Sequence, residues 1–144
     1  MLENLLPVNS ISVIRGVSKT LQVRVTSAPG EHSGPPESYG NPNDFPRPHG
    51  KPVDLTGSRM IFSVKEFLEA PQPLIQKDSN NASEILFTNA LCGIAQIYLV
   101  PQDTQFLDPL DFIYDVWLIL PSGARYAVIP PSILQVKSGV TFVP

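Results

Sequence analysis

"DFIYDVWLIL" (Asp111–Leu120) is the longest and most apolar run in the chain, and its pattern decides the fold class. Phe112, Tyr114, Val116, Leu118 and Leu120 fall on alternate positions, with Ile113, Asp115, Trp117 and Ile119 between them. A period of two predicts a β-strand whose successive side chains point to opposite faces. In a two-sheet sandwich only one of those faces meets the core. The other presents a tryptophan and two isoleucines that need a second contact surface.

Upstream, "GIAQIYLV" (Gly93–Val100) shows the same excess, with Ala95, Ile97 and Leu99 set against Ile94, Tyr98 and Val100. "TLQVRVT" (Thr20–Thr26) and "GSRMIFSVKE" (Gly57–Glu66) alternate more cleanly, each with one apolar side. Shorter runs lie at "SISVIRG" (Ser10–Gly16), "PLIQK" (Pro73–Lys77) and "SEILF" (Ser83–Phe87). Downstream, a "PSG" turn leads into "ARYAVI", and Pro130–Pro131 are expected to break the chain before "SILQV" and the terminal "VTFV". Only "VKEFLEA" (Val64–Ala70) is suited to a helical turn, ended by Pro71. About eight short strands separated by turn residues predict an all-β, antiparallel sandwich or barrel.

Residues 29–50, "PGEHSGPPESYGNPNDFPRPHG", hold six of the sixteen prolines and four of the nine glycines. Proline lacks the N–H and fixes φ, so this block cannot supply a helix or a central strand. The residues before it make two strands at most, too few to bury a face alone. They must pair with strands beyond the block. The expectation is one domain over 1–144, with an N-terminal arm at 1–10 and a Pro/Gly-rich loop insertion at 27–50. The closure entropy of such a loop rises only with the logarithm of its length.

The composition narrows the function classes. Net charge is −3, which leaves no basic footprint for a nucleic-acid backbone. The apolar fraction of 42% with 16% charged residues fits a folded chain. No stretch reaches the ~20 apolar residues of a membrane span. The N-terminal "MLENLLPVNS" lacks a basic region, carries Glu3 and is broken by Pro7, unlike a signal peptide, so a soluble, reducing compartment is expected. Cys92 is the single cysteine, which excludes an internal disulfide; between two strands, it reads as a buried thiol.

Catalytic chemistry finds little footing. His32 and His49 are the two imidazoles and both lie in the Pro/Gly block, without the spacing of a metal site. No nucleophile elbow or phosphate-cradling loop is present. Asp103, Asp108, Asp111 and Asp115 cluster around a strand entry, where turn chemistry is favoured over a calcium site. No catalytic residue, cofactor or metal is expected. The candidate functional residues are instead exposed aromatic and aliphatic groups for protein contact: Tyr39, Phe45, Tyr98, Ile113, Trp117 and Ile119. An alternative is a carbohydrate- or receptor-binding sandwich in which Trp117, Tyr98, Tyr126 or Tyr39 stacks on a sugar.

From about Val53 to Val136 the sequence also carries a set of spaced motifs. They are "DLTG" (Asp54–Gly57) before a strand "FSVK" (Phe62–Lys65), then "LIQK" (Leu74–Lys77) and a segment from Gly93 to "DT" at Asp103–Thr104. "YDVWL" (Tyr114–Leu118) and "PSG" (Pro121–Gly123) complete the set. This pattern resembles the immunoglobulin-like β-sandwich at the N-terminus of phage baseplate upper proteins and of related tail and head-fibre proteins. The resemblance implies an immunoglobulin-like sandwich and a non-enzymatic virion protein, made in the bacterial cytoplasm. It would serve as an adaptor of the tail, baseplate or neck, or alternatively as a capsid decoration or head-fibre protein. The implied partners are other virion proteins and further copies of the chain in a symmetric ring or lattice, with neither nucleic acid nor membrane. The shared residues are turn and core positions, so no catalytic residue is carried over. The fibre-forming or receptor-binding continuation of longer relatives is expected to be absent, and the Pro/Gly block is longer than the turn expected there.

Overall fold

The computed structural model describes residues 9–27 and 51–140. Eight strands follow in chain order: β1 (Ile11–Ile14), β2 (Lys19–Arg24), β3 (Arg59–Lys65), β4 (Ile75–Asp78), β5 (Ile85–Asn89), β6 (Ile94–Leu99), β7 (Asp111–Ile119) and β8 (Arg125–Lys137). They form a five-stranded sheet ordered β1-β8-β7-β3-β4 and a three-stranded sheet ordered β2-β6-β5. With β2 to β8 taken as strands B, C, C′, D, E, F and G, the orders become G-F-C-C′ and B-E-D, those of an immunoglobulin-like sandwich. Every pairing is antiparallel except β1 with β8, which is parallel. An all-antiparallel arrangement is therefore corrected in one place. The chain reaches β2 by crossing to the other sheet, so β1 runs in the direction of β8.

Alternation explains the core. Met60, Phe62 and Val64 of β3, Phe112, Tyr114, Val116 and Leu118 of β7, and Ala95, Ile97 and Leu99 of β6 are all buried in one apolar cluster. Leu21 and Val23 of β2 join from the facing sheet. Burying each such large side chain contributes roughly 1.5–3 kcal/mol. Phe62 and Tyr114 meet with ring centroids 5.7 Å apart, tilted by 40°.

The strands either side of the Pro/Gly block lie in shared sheets. β1 pairs with β8 and β2 with β6. The flanks of the block also meet: Thr26 pairs with Pro52, and the Ser27 N–H donates to the Lys51 carbonyl at 2.8 Å. The block itself and the N-terminal arm up to Val8 lie outside the described residues, as does most of "VTFV".

Three local expectations are corrected. Pro130–Pro131 do not end a strand, since β8 runs through them. The register with β7 shifts between Tyr114 and Val116, so the prolines fall in a bulge where ladder N–H groups are not required. The helical turn lies at Pro101–Thr104 rather than at Val64–Ala70. Pro101 suits a first helical position and the Asp103 carboxylate accepts from the Val100 N–H at 2.7 Å. Cys92 is exposed, not buried, because a 3₁₀ turn at Ala90–Cys92 carries it out of the sheet before β6 begins. Gly93 closes that turn at φ 72°, where a Cβ would press on the Val25 carbonyl and lie 2.9 Å from that of Val53.

Candidate functional site: the outer face of the five-stranded sheet

β3, β7 and β8 lie side by side at the centre of the larger sheet, and their outward positions build one face. Ile61 stands opposite Trp117, which in turn stands opposite Ala127. Lys65, Ile113 and Ile133 form a second row, and Arg59, Ile119 and Arg125 a third. The isoleucines are half-buried by these cross-strand neighbours, while Trp117 remains 41% exposed. The result is an apolar patch of Ile61, Trp117 and Ile119, separated from Ile113 and Ile133 by the polar Ser63–Asp115 row, with cations at its margins.

Trp117 is oriented by its own strand. Its indole N–H donates to Asp115 Oδ2 at 2.9 Å. A partner covering the ring would therefore bury a donor that is already satisfied, which removes the usual penalty for burying an indole N–H. On the β4 side the Arg59 guanidinium binds the Asp78 carboxylate, and that hydrogen bond holds Asp78 below the usual carboxylate range. The Gln76 amide donates to Ser63 Oγ at 3.2 Å beside it.

The structure brings together Ile113, Trp117 and Ile119 of the expected set. Tyr98 lies on the outer face of the three-stranded sheet, on the other side of the sandwich. It is half-buried there and donates to Gln96 Oε1 at 3.1 Å. Tyr39 and Phe45 fall outside the described residues. Tyr126, from the sugar-stacking alternative, pairs with inward-facing Leu118, so it does not share a platform with Trp117.

The spaced motifs prove to be structural contacts. Asp54 Oδ1 accepts from the Thr56 N–H at 2.9 Å and from its hydroxyl at 2.7 Å, and these two bonds hold the carboxyl below its usual range. They shape the turn that buries Leu55. Lys77 points inward from β4 and is 7% exposed, its ammonium 2.8 Å from Asp103 Oδ2. Thr104 is buried and its hydroxyl accepts from the Gly16 N–H at 2.9 Å. Sequence reasoning missed the Lys77–Asp103 pair. Its signal was the inward parity of Lys77, two positions after Ile75.

Among the described residues, no group of three His, Cys, Asp or Glu side chains is placed to hold a metal ion. Among them too, no helix is long and apolar enough to cross a membrane. The four aspartates around the entry to β7 take separate tasks where they are engaged, Asp103 as cap and ion-pair partner and Asp115 as acceptor for Trp117.

No protein-family profile matches the chain. No curated protein matches it either. The solved structure of murine CRIg aligns over 90% of this chain and 92% of its own, at 12% identity and a TM-score of 0.36. The immunoglobulin-like assignment rests on the strand order of the chain itself.

Proposed function

We propose that the chain is a non-enzymatic structural protein of a bacteriophage virion, an adaptor of the tail, baseplate or neck. It docks on neighbouring virion proteins through the outer face of its five-stranded sheet. One observation carries the docking role: Ile61, Trp117 and Ile119, with Ile113 beyond the Ser63–Asp115 row, stand on the solvent side of a sheet whose other side already fills the core. Interface energy concentrates in such aromatic anchors, and an indole with its N–H already paired suits that use. The phage setting is supported by the spaced motifs from "DLTG" to "PSG".

In this reading the Pro/Gly-rich insertion and the N-terminal arm lace one subunit to the next in a ring or lattice. Capsid decoration is the second reading, and copy number separates the two: a ring protein occurs in few copies, whereas a decoration protein approaches the coat protein. The sugar-binding alternative is disfavoured by Trp117 and Tyr98 lying on opposite faces.

Quantitative mass spectrometry of purified particles from the encoding phage tests the proposal, alongside particles grown with Trp117→Asp. The wild-type chain is expected in particles at ring stoichiometry. The variant is expected to fold and to be excluded. Absence of the wild-type chain from particles, or full incorporation of the variant, overturns it.

A further inference from the structure

The registers place four connections at one end of the sandwich. Ile14 stands opposite Lys137, Lys19 opposite Leu99, Val64 opposite Ile75 and Lys65 opposite Ile113. The β1–β2 turn, the β3–β4 connection, the segment from Val100 to Leu110 and residues 138–140 therefore gather there. Cross-links join them: the Gly16 N–H reaches Thr104, the Arg15 guanidinium reaches the Leu107 carbonyl, and the Val136 N–H reaches the Leu110 carbonyl.

Nine of the thirteen exposed large apolar side chains among the described residues sit at this end, including Ile14, Val17, Phe67, Leu68, Phe106 and Leu110. Phe106 is 88% exposed. The nine offer on the order of 900 Å², comparable with the ~800 Å² that each partner contributes to a stable interface.

The charges at this end are segregated as well. Arg15, Lys19 and Lys137 lie by the β1–β8 edge, whereas Glu66 and Glu69 lie in the β3–β4 connection at the opposite edge. Lys65, Asp108 and Asp111 stand between them.

We propose that this end is a self-complementary interface at which two copies of the chain meet end to end about a two-fold axis. A half-turn about an axis through the end lays the basic edge of one copy over the acidic edge of the other. The apolar groups meet between the edges. Two-fold contacts of this kind are the commonest symmetric association. The surface is distinct from the outer sheet face, so loss of one leaves the other in place.

Sedimentation velocity of the purified chain over about 1–200 μM tests this, with thermal melts as folding controls. The wild type is expected to be a dimer. Phe106→Asp with Leu68→Asp is expected to give a monomer that still melts cooperatively, its melting temperature below the wild type's only by the lost association and independent of concentration, since both side chains are solvent-facing. Glu66→Lys with Glu69→Lys is expected to weaken dimerisation about tenfold, and adding Lys19→Glu with Lys137→Glu to restore it. If the apolar variant fails to fold, this charge exchange decides the matter. A monomeric wild type, a charge exchange without rescue, or a dimer that survives Phe106→Asp with Leu68→Asp but is lost with Trp117→Asp overturns the proposal.

Discussion

The two sheets solve the same inner problem and diverge outside. Both turn alternate residues inward, and Phe62 in the larger and Ile97 in the smaller are equally inaccessible. Outward, the three-stranded sheet presents Thr20, Gln22 and Arg24 on β2, and its apolar groups, Ile94 and Tyr98 on β6 and Leu86 on β5, are set around Gln96. The five-stranded sheet presents Ile61, Trp117 and Ile119 in adjacent rows, with Ile113 beyond the polar Ser63–Asp115 row. Core packing cannot account for that asymmetry, because the core is complete without those side chains. It points to contact with something outside the sandwich.

Breaking the inner equivalence should have the largest effect. Phe62→Ala is expected to cost about 3–5 kcal/mol and Ile97→Ala about 2–4 kcal/mol in urea unfolding, each leaving a cavity between the sheets. Similar losses from both sheets would confirm a shared core; a negligible loss from Ile97→Ala would show that the smaller sheet packs loosely.

The next effect concerns the pin between the sheets. Lys77 belongs to the larger sheet, while Asp103 follows the last strand of the smaller one. Asp103→Ala removes both the pair and the helical-turn cap, and leaves the Lys77 ammonium in a site with little access to water. A loss of about 2–3 kcal/mol is expected, measured as a fall in the urea midpoint at unchanged slope.

Tyr114 gives a smaller, pH-dependent effect. Its hydroxyl donates to the Asn9 carbonyl, and burial pushes its pKa from 10 up to about 12. The folded state holds this proton more tightly than the unfolded chain does. Its stabilisation is thus complete below about pH 10 and is lost as pH rises towards 12. Tyr114→Phe should cost about 1 kcal/mol at neutral pH and flatten the decline of the denaturation midpoint across that window. Equal alkaline slopes for the two proteins would remove Tyr114 from the account.

The smallest change in stability is expected on the outer face. Trp117→Ala should shift unfolding by less than about 1 kcal/mol, because the ring is only partly covered, while the proposed docking through this face should be lost. A large loss of stability would instead make Trp117 part of the packing and erase the contrast between the sheets.

The inner rows of β2, β3, β6 and β7 were legible because burial of one sheet face imposes a period of two on the sequence. The turns at "DLTG" and "PSG" were legible for a related reason, since few residue types tolerate those backbone angles. Three other features depended on partners remote in sequence. β8 passes through Pro130–Pro131 only because β7 meets it there with a bulge. Cys92 is exposed because the chain turns out of the sheet before β6. Lys77 is acceptable in an inward position only because Asp103 arrives from another connection. The same limit applies to the candidate surfaces: the sequence showed that Trp117 needed a face but not that Tyr98 lies on a different one.

By itself, then, the amino-acid sequence determined the all-β class, which residues turn inward and that two strands carry surplus apolar groups. These are local consequences of alternation and turn chemistry. Tertiary structure decided the parallel seating of β1, the grouping of Ile113, Trp117 and Ile119 apart from Tyr98, and the gathering of exposed apolar side chains at one end. Those outcomes depend on which strands become neighbours, and pairing is set by contacts between residues far apart along the chain.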